Sequence, residues 1–97
     1  MSVHWQVTGR DEEAGILLLG HPALDWDSFP VLAQELLAEW ELIPLQRDSG
    51  ADRHCWQLAF EACRLWLHFE HHSDCWLSAD DEEGRATLSW LARQHKD

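Results

Sequence analysis

Apolar residues recur every three or four positions between residues 28 and 41, which is the spacing of one face of an α-helix. Asp27 or Ser28 can cap the first turn of this helix, and Pro30 is tolerated there because first-turn amides have no intrahelical partner. Pro44 ends the pattern. The sequence therefore predicts a helix over residues 28–41 whose buried stripe consists of Phe29, Leu32, Leu36, Leu37 and Trp40.

A different pattern governs residues 53–60 and 64–70, where side chains alternate with a period of two. Residues 61–63 between them are long enough only for a tight hairpin connection. A turn at residues 71–73 and a short strand around 75–78 complete a three-strand antiparallel meander. One face of the two long strands then carries Trp56, Leu58, Phe60, Leu65, Leu67 and Phe69, and the other carries Cys55, Gln57, Ala59, Trp66, His68 and Glu70.

The two ends of the chain supply the remaining elements. Residues 4–7 and 15–19 resemble strands on either side of a polar turn at 9–13, which predicts an N-terminal hairpin. A second helix begins after Ala79, where Asp80 or Asp81 can cap it, and its apolar seam consists of Leu88, Leu91 and Ala92.

The order of these elements is hairpin, helix, three-strand meander and helix, with a loop at residues 47–52. Separated strands and helices with antiparallel connections indicate the α+β class. The expected architecture is a single sheet with both helices on one face. A length of 97 residues predicts one domain, over residues 1–97.

The net charge of the chain limits the classes of molecule that it is expected to bind. Lys and Arg total 7 and Asp and Glu total 18, which gives a formal net charge of −11. Such a chain has few cations to displace counterions from nucleic acid or to bind anionic lipid, so neither is an expected partner. The longest apolar run is only Ile16–Leu19, and the first residues do not resemble a signal peptide. These features, with an odd number of cysteines, predict a cytoplasmic location.

The sheet face that carries Trp66 is the first candidate for function. A large aromatic among polar groups is unusual on a sheet surface and marks a binding site. We therefore expect Trp66, His68, Glu70 and Gln57 to form a binding surface. The corresponding hypothesis is a non-catalytic module without a cofactor, which binds a protein partner or forms a homo-oligomer.

The segment between residues 54 and 75 supports an alternative hypothesis. It holds four histidines and all three cysteines of the chain, and imidazole and thiolate are the ligands that zinc prefers. A small metal-dependent enzyme would use His54, His72 and Cys75, and a thiol enzyme would use Cys75 with one of those histidines and Asp74 or Asp52. However, the segment has no CxxC or HExxH spacing, and the acidic background disfavours a thiolate. The sequence thus predicts no metal ligands and no catalytic residues.

The same part of the chain resembles a small bacterial family that is known only as a domain of unknown function. The resemblance covers residues 50–78. It implies a compact, single-domain, cytoplasmic bacterial protein and brings no activity, cofactor or catalytic residue. The residues that carry it are Gly50-Ala51-Asp52, His54, Trp56, Phe60-Glu61, Phe69-Glu70, Ser73 and Trp76-Leu77.

Overall fold

A computed structural model describes residues 5–11, 13–50, 53–70 and 75–94 of the chain. It is an α+β structure with six strands and two helices within those ranges. The predicted turn at residues 71–73 lies outside the described residues. In chain order the elements are β1 (Gln6–Asp11), β2 (Ile16–Gly20), α1 (Phe29–Glu39), β3 (Ile43–Ser49), β4 (Arg53–Phe60), β5 (Cys63–Glu70), β6 (Cys75–Ser78) and α2 (Glu82–Gln94).

The strands form one antiparallel sheet in the order β1-β2-β6-β5-β4-β3. The predicted hairpin of β1 and β2 is present, and β1 continues through residues 9–11, which the sequence pattern assigned to the turn. The hairpin joins the other strands through β2 and β6, where Leu17 lies opposite Leu77 and Leu19 opposite Cys75. The apolar run in β2 is therefore an interior strand of the sheet.

Strand β3 corrects the prediction of a three-strand meander, because the meander has four strands. Residues 47–52 were expected to form a loop after Pro44, but Ile43–Ser49 pairs with β4. Every residue of β3 is exposed, so no alternation of apolar and polar side chains indicates a strand. Proline is tolerated because β3 is an edge strand, and the ladder is irregular between Pro44 and Gln46. Its Arg47 guanidinium lies 4.9 Å from the ring centroid of Trp56.

Both helices pack on the same face of the sheet. From α1, the ring of Phe29 stacks on Phe69 of β5 with 4.8 Å between centroids and meets the edge of Trp56 at 5.4 Å. From α2, Leu88 and Leu91 are buried in the same hydrophobic core. The predicted buried stripe of α1 is confirmed, as is the apolar face of β4 and β5, although Phe60 at the end of β4 is only partly buried.

The capping residues predicted for the two helices are confirmed for α2 but not for the Ser28 hydroxyl of α1. Asp81 Oδ1 accepts a hydrogen bond from the Gly84 N–H at 2.6 Å, which confirms Asp81 as a cap of α2. Ser28 occupies the N-cap of α1 but makes no side-chain bond to the helix amides. Its hydroxyl oxygen instead accepts from the Asp25 N–H at 2.9 Å, while Asp25 Oδ1 accepts from the Ser28 N–H at 2.7 Å. The predicted capping by the Ser28 hydroxyl is therefore wrong.

Helix α2 contains a glycine, Gly84, in its first turns, where this residue weakens a helix. The close packing around Gly84 explains its presence. A Cβ atom at this position would lie 2.7 Å from Ala79 Cβ and 2.9 Å from Asp81 Oδ1. Both distances are too short for a side chain. The glycine thus allows the start of α2 to approach the end of β6 closely.

Candidate functional site

The sheet face that points away from the helices is the candidate site, and we call it the open face. Residues directly opposite each other in an antiparallel ladder point to the same side of the sheet. Both helices lie on the other side, so among the described residues no helix covers the open face. Its central residues are Ile16, Leu18, Cys55, Gln57, Trp66, His68, Glu70, Trp76 and Ser78.

The four residues expected to form a binding surface all lie on this face. Gln57 and Trp66 are opposite each other on β4 and β5, and His68 and Glu70 follow on β5. All four are half-buried. The alternation in these strands thus predicted correctly that the four residues share one face of the sheet.

His68 lies at the centre of the open face in a defined orientation. Its ring stacks on the Trp76 indole with 5.0 Å between centroids and 15° between planes. Its Nε2 is 2.8 Å from Ser78 Oγ, a hydrogen-bond distance. Burial lowers the pKa of His68, against an opposing effect of the Glu70 carboxylate. A neutral imidazole is therefore favoured at this position.

Two residues of the open face were not predicted from the sequence pattern. Trp76 lies in a four-residue strand, and only its alternation with Cys75 and Leu77 hints at the side to which it points. Leu18 lies opposite Trp76 across the β2–β6 ladder and is 44% exposed. Because this pairing joins segments almost sixty residues apart, no local pattern could indicate it.

The described part of the open face is much less acidic than the chain as a whole. The register of the ladders places three described carboxylates on it, Asp11, Asp48 and Glu70. It also places two guanidinium groups there, since Arg53 lies opposite Glu70 and Arg64 opposite Ala59. The described part of this face therefore has one more carboxylate than guanidinium, while the chain as a whole has a net charge of −11.

Cys55 and Cys75 are poorly suited to nucleophilic catalysis. Cys55 lies opposite both His68 and Asp48, but the His68 ring contacts Trp76 and Ser78. Burial raises the pKa of the Cys55 thiol, and the Asp48 carboxylate raises it further. Burial also raises the pKa of Cys75 strongly. Both effects disfavour the thiolate, which is the reactive form.

Two of the three residues of the alternative metal site, His54 and Cys75, lie on the helix side of the sheet. His54 on β4 and Cys75 on β6 are both opposite Phe69, so β5 separates them. His72 is outside the described residues, as are Asp52 and Asp74. Within residues 5–11, 13–50, 53–70 and 75–94, no group of three or more His, Cys, Asp or Glu side chains is arranged to hold a metal ion.

His54 is instead part of an aromatic cluster beneath α1. Its ring stacks on Trp26 at 4.3 Å and on Phe29 at 4.8 Å between centroids, and it is only 7% exposed. Its Nδ1 lies 2.8 Å from Ser49 Oγ. Burial lowers the pKa of His54, so the neutral ring is favoured here as well.

We expect Cys55 and Cys75 to react slowly with iodoacetamide at neutral pH in the folded protein. Their raised thiol pKa values leave little thiolate, and Cys75 is also buried. Time-resolved labelling followed by peptide mass spectrometry measures each site, with the denatured protein as the control. Labelling of either cysteine at the rate of the denatured chain would contradict this expectation, and such labelling of Cys75 would support the thiol enzyme hypothesis.

The fold and this face together define a small α+β domain with an antiparallel sheet that is covered by helices on one side. The chain matches, over residues 5–96, the family described as Protein of unknown function (DUF3630), and it belongs to that family. The resemblance to an uncharacterised family is thereby confirmed, and it extends well beyond residues 50–78. No curated protein and no solved structure matches the chain. In the described part of the chain, neither helix has the length and apolar character needed to cross a membrane.

Proposed function

We propose that this protein is a non-catalytic binding module that associates with a second copy of itself through the open face of its sheet. The observation that carries the proposal is the pair of half-buried indoles, Trp66 and Trp76, on a sheet face without a helical layer. Leu18 extends this apolar surface toward β2. Aromatic side chains with polar neighbours are the typical anchors of protein interfaces.

The open face is the surface at which charge opposes a second copy least. Two molecules that each have a net charge of −11 repel each other over most of their surfaces. The open face is the part where described carboxylates are nearly balanced by Arg53 and Arg64. Stacking of two open faces also keeps the acidic helices and loops on the outside of the dimer.

The dimensions of the molecule fit this arrangement. The Cα trace has principal extents of 32 × 32 × 22 Å. A stable interface takes about 800 Å² from each partner, which a sheet face of this size supplies. Two such sheets would pack about 10 Å apart, with Trp66 and Trp76 at the centre of a four-layer structure.

Sedimentation equilibrium tests this proposal with two variants that add the same charge. Leu18→Glu places a carboxylate on the open face, and Val31→Glu places one on the outer side of α1, where Val31 is 63% exposed. We expect the wild type and Val31→Glu to dimerise and Leu18→Glu to be monomeric at the same concentrations. Thermal melts show whether each variant is folded.

A wild-type protein that stays monomeric up to its solubility limit would contradict self-association. Equal dimerisation of Leu18→Glu and Val31→Glu would contradict the assignment to the open face.

A further inference from the structure

A second exposed aromatic surface lies on the helix side of the molecule, around Trp90. This residue is on α2 and is 42% exposed, and its ring is 5.6 Å from that of Phe60 between centroids. A shallow groove runs along each side of the indole. We call this surface the Trp90 patch; its grooves are lined by residues that include Glu39, Trp40, Glu41, Phe60, Glu61 and Thr87.

The Trp90 patch is separate from the open face. Phe60 points to the same side of β4 as Leu58, toward the helices, and the open face is on the opposite side. The pairing of Ile43 with Ala59 brings the connection after α1 next to the turn between β4 and β5. Glu41 and Glu61 therefore lie at the same end of the sheet, one in each groove beside Trp90.

The backbone at both glutamates is unusual. Among the described residues, Glu41 and Glu61 are the two non-glycine residues with positive φ, at 58° and 52°. Side chains disfavour this left-handed conformation, which glycine adopts without strain. A residue kept in such a conformation at a local cost points to a function of its side chain.

The local structure shows that glycine would fit at both positions. Glu41 follows the C-cap Trp40, and the Leu42 N–H donates to Leu37 O at 2.8 Å across the helix end. This bond is that of a Schellman motif, in which the left-handed position is usually glycine. Glu61 lies in the two-residue turn between Phe60 and Cys63, where glycine is also common.

We propose that the Trp90 patch binds a Lys- or Arg-bearing segment of a partner protein. An indole face attracts a cation, and the aliphatic part of a Lys or Arg side chain packs on the apolar rings of Trp90 and Phe60. The carboxylates of Glu41 and Glu61 can pair with the cation from either groove. A second copy is a poor occupant, because its own net charge of −11 would face these glutamates. This site is independent of the proposed dimer.

A titration with a defined peptide tests the proposal. The probe is a short peptide of alternating Arg and Leu, and the matched control peptide has Gln in place of each Arg. The readout is the indole N–H signal of Trp90 in a nitrogen–proton correlation spectrum, which is assigned by its loss in Trp90→Phe. We expect the Arg peptide to shift this signal in a saturable way, more weakly at high salt, and the Gln peptide to leave it unchanged.

Charge-neutral variants test the role of the two glutamates. We expect the double variant Glu41→Gln/Glu61→Gln to bind the Arg peptide about threefold to tenfold more weakly than the wild type. Asp27→Asn is the control, because it removes an exposed carboxylate before the start of α1, at the opposite end of that helix. An equal loss of affinity in Asp27→Asn and in the single variants Glu41→Gln and Glu61→Gln would overturn the proposal in favour of non-specific attraction. Unchanged affinity in the double variant would overturn it as well.

Glycine variants separate binding from stability. Glu41→Gly/Glu61→Gly removes both the carboxylates and the backbone strain, so we expect a higher melting temperature together with weaker peptide binding. A lower melting temperature would show that the glutamates are kept for the stability of the fold, which would overturn the argument from strain. Peptide affinity equal to that of the wild type would overturn the role of the carboxylates.

Discussion

Leu36→Ala is expected to lower the free energy of unfolding by about 2–5 kcal/mol, the range measured when a large apolar side chain is removed from a core. Leu36 is fully buried in the middle of α1 and is part of the single core formed by the helices and the sheet. Alanine keeps the helix propensity high, so the loss reports the cavity that is left behind. Urea denaturation measures it.

Val31→Ala is the matched control for this substitution. It lies on the same helix but is 63% exposed, so its replacement is expected to change the free energy of unfolding by less than about 0.5 kcal/mol. A comparably small change in Leu36→Ala would mean that this side of α1 does not face the sheet, and would contradict the fold described above.

Stability is expected to fall as the pH is lowered below about 6.5, before the carboxylates begin to titrate. Burial lowers the pKa of both His54 and His68 in the folded protein. Below the ordinary histidine pKa, the unfolded chain therefore binds protons that the folded protein does not, and the equilibrium shifts toward unfolding. The loss continues until the pH passes the folded pKa values, and it amounts to about 1.4 kcal/mol for each unit of pKa lowering.

Single substitutions test whether His54 and His68 cause this loss of stability at low pH. His54→Phe keeps a ring against Trp26 and Phe29, and His68→Phe keeps a ring against Trp76, but neither can be protonated. Urea denaturation between pH 7.5 and 5 should show a shallower loss of stability in each variant and the shallowest in the double variant. Profiles that all match the wild type would show that these histidines are accessible to protons in the folded state.

Helix α1 and strands β4 and β5 were predictable because each has a strong periodicity. The helical spacing from Phe29 to Trp40 and the alternation in residues 53–60 and 64–70 depend on one buried face per element. Strand β3 has no buried residue and therefore no such pattern. The order of the strands depends on the long-range pairing of β2 with β6, which neither segment encodes alone.

Some residues of the candidate sites could likewise be predicted from local sequence patterns, while others depend on long-range strand pairing. Alternation within β4 and β5 placed Gln57, Trp66 and His68 on one face. The position of Trp76 and Leu18 beside them depends on strand order. The Trp90 patch depends on two connections and helix α2, which meet at one end of the sheet, and the left-handed backbone of its glutamates has no signature in the sequence.

Self-association through the open face is the central claim, and intermolecular contacts test it most directly. A sample that mixes carbon-13/nitrogen-15-labelled and unlabelled protein allows nuclear Overhauser effects between two copies to be separated from those within one. We predict intermolecular effects on the ring protons of Trp66 and Trp76 and on the Leu18 methyl groups. Intermolecular effects confined to helix residues such as Val31, or a mixed sample that shows none at concentrations where the protein is dimeric, would contradict the account.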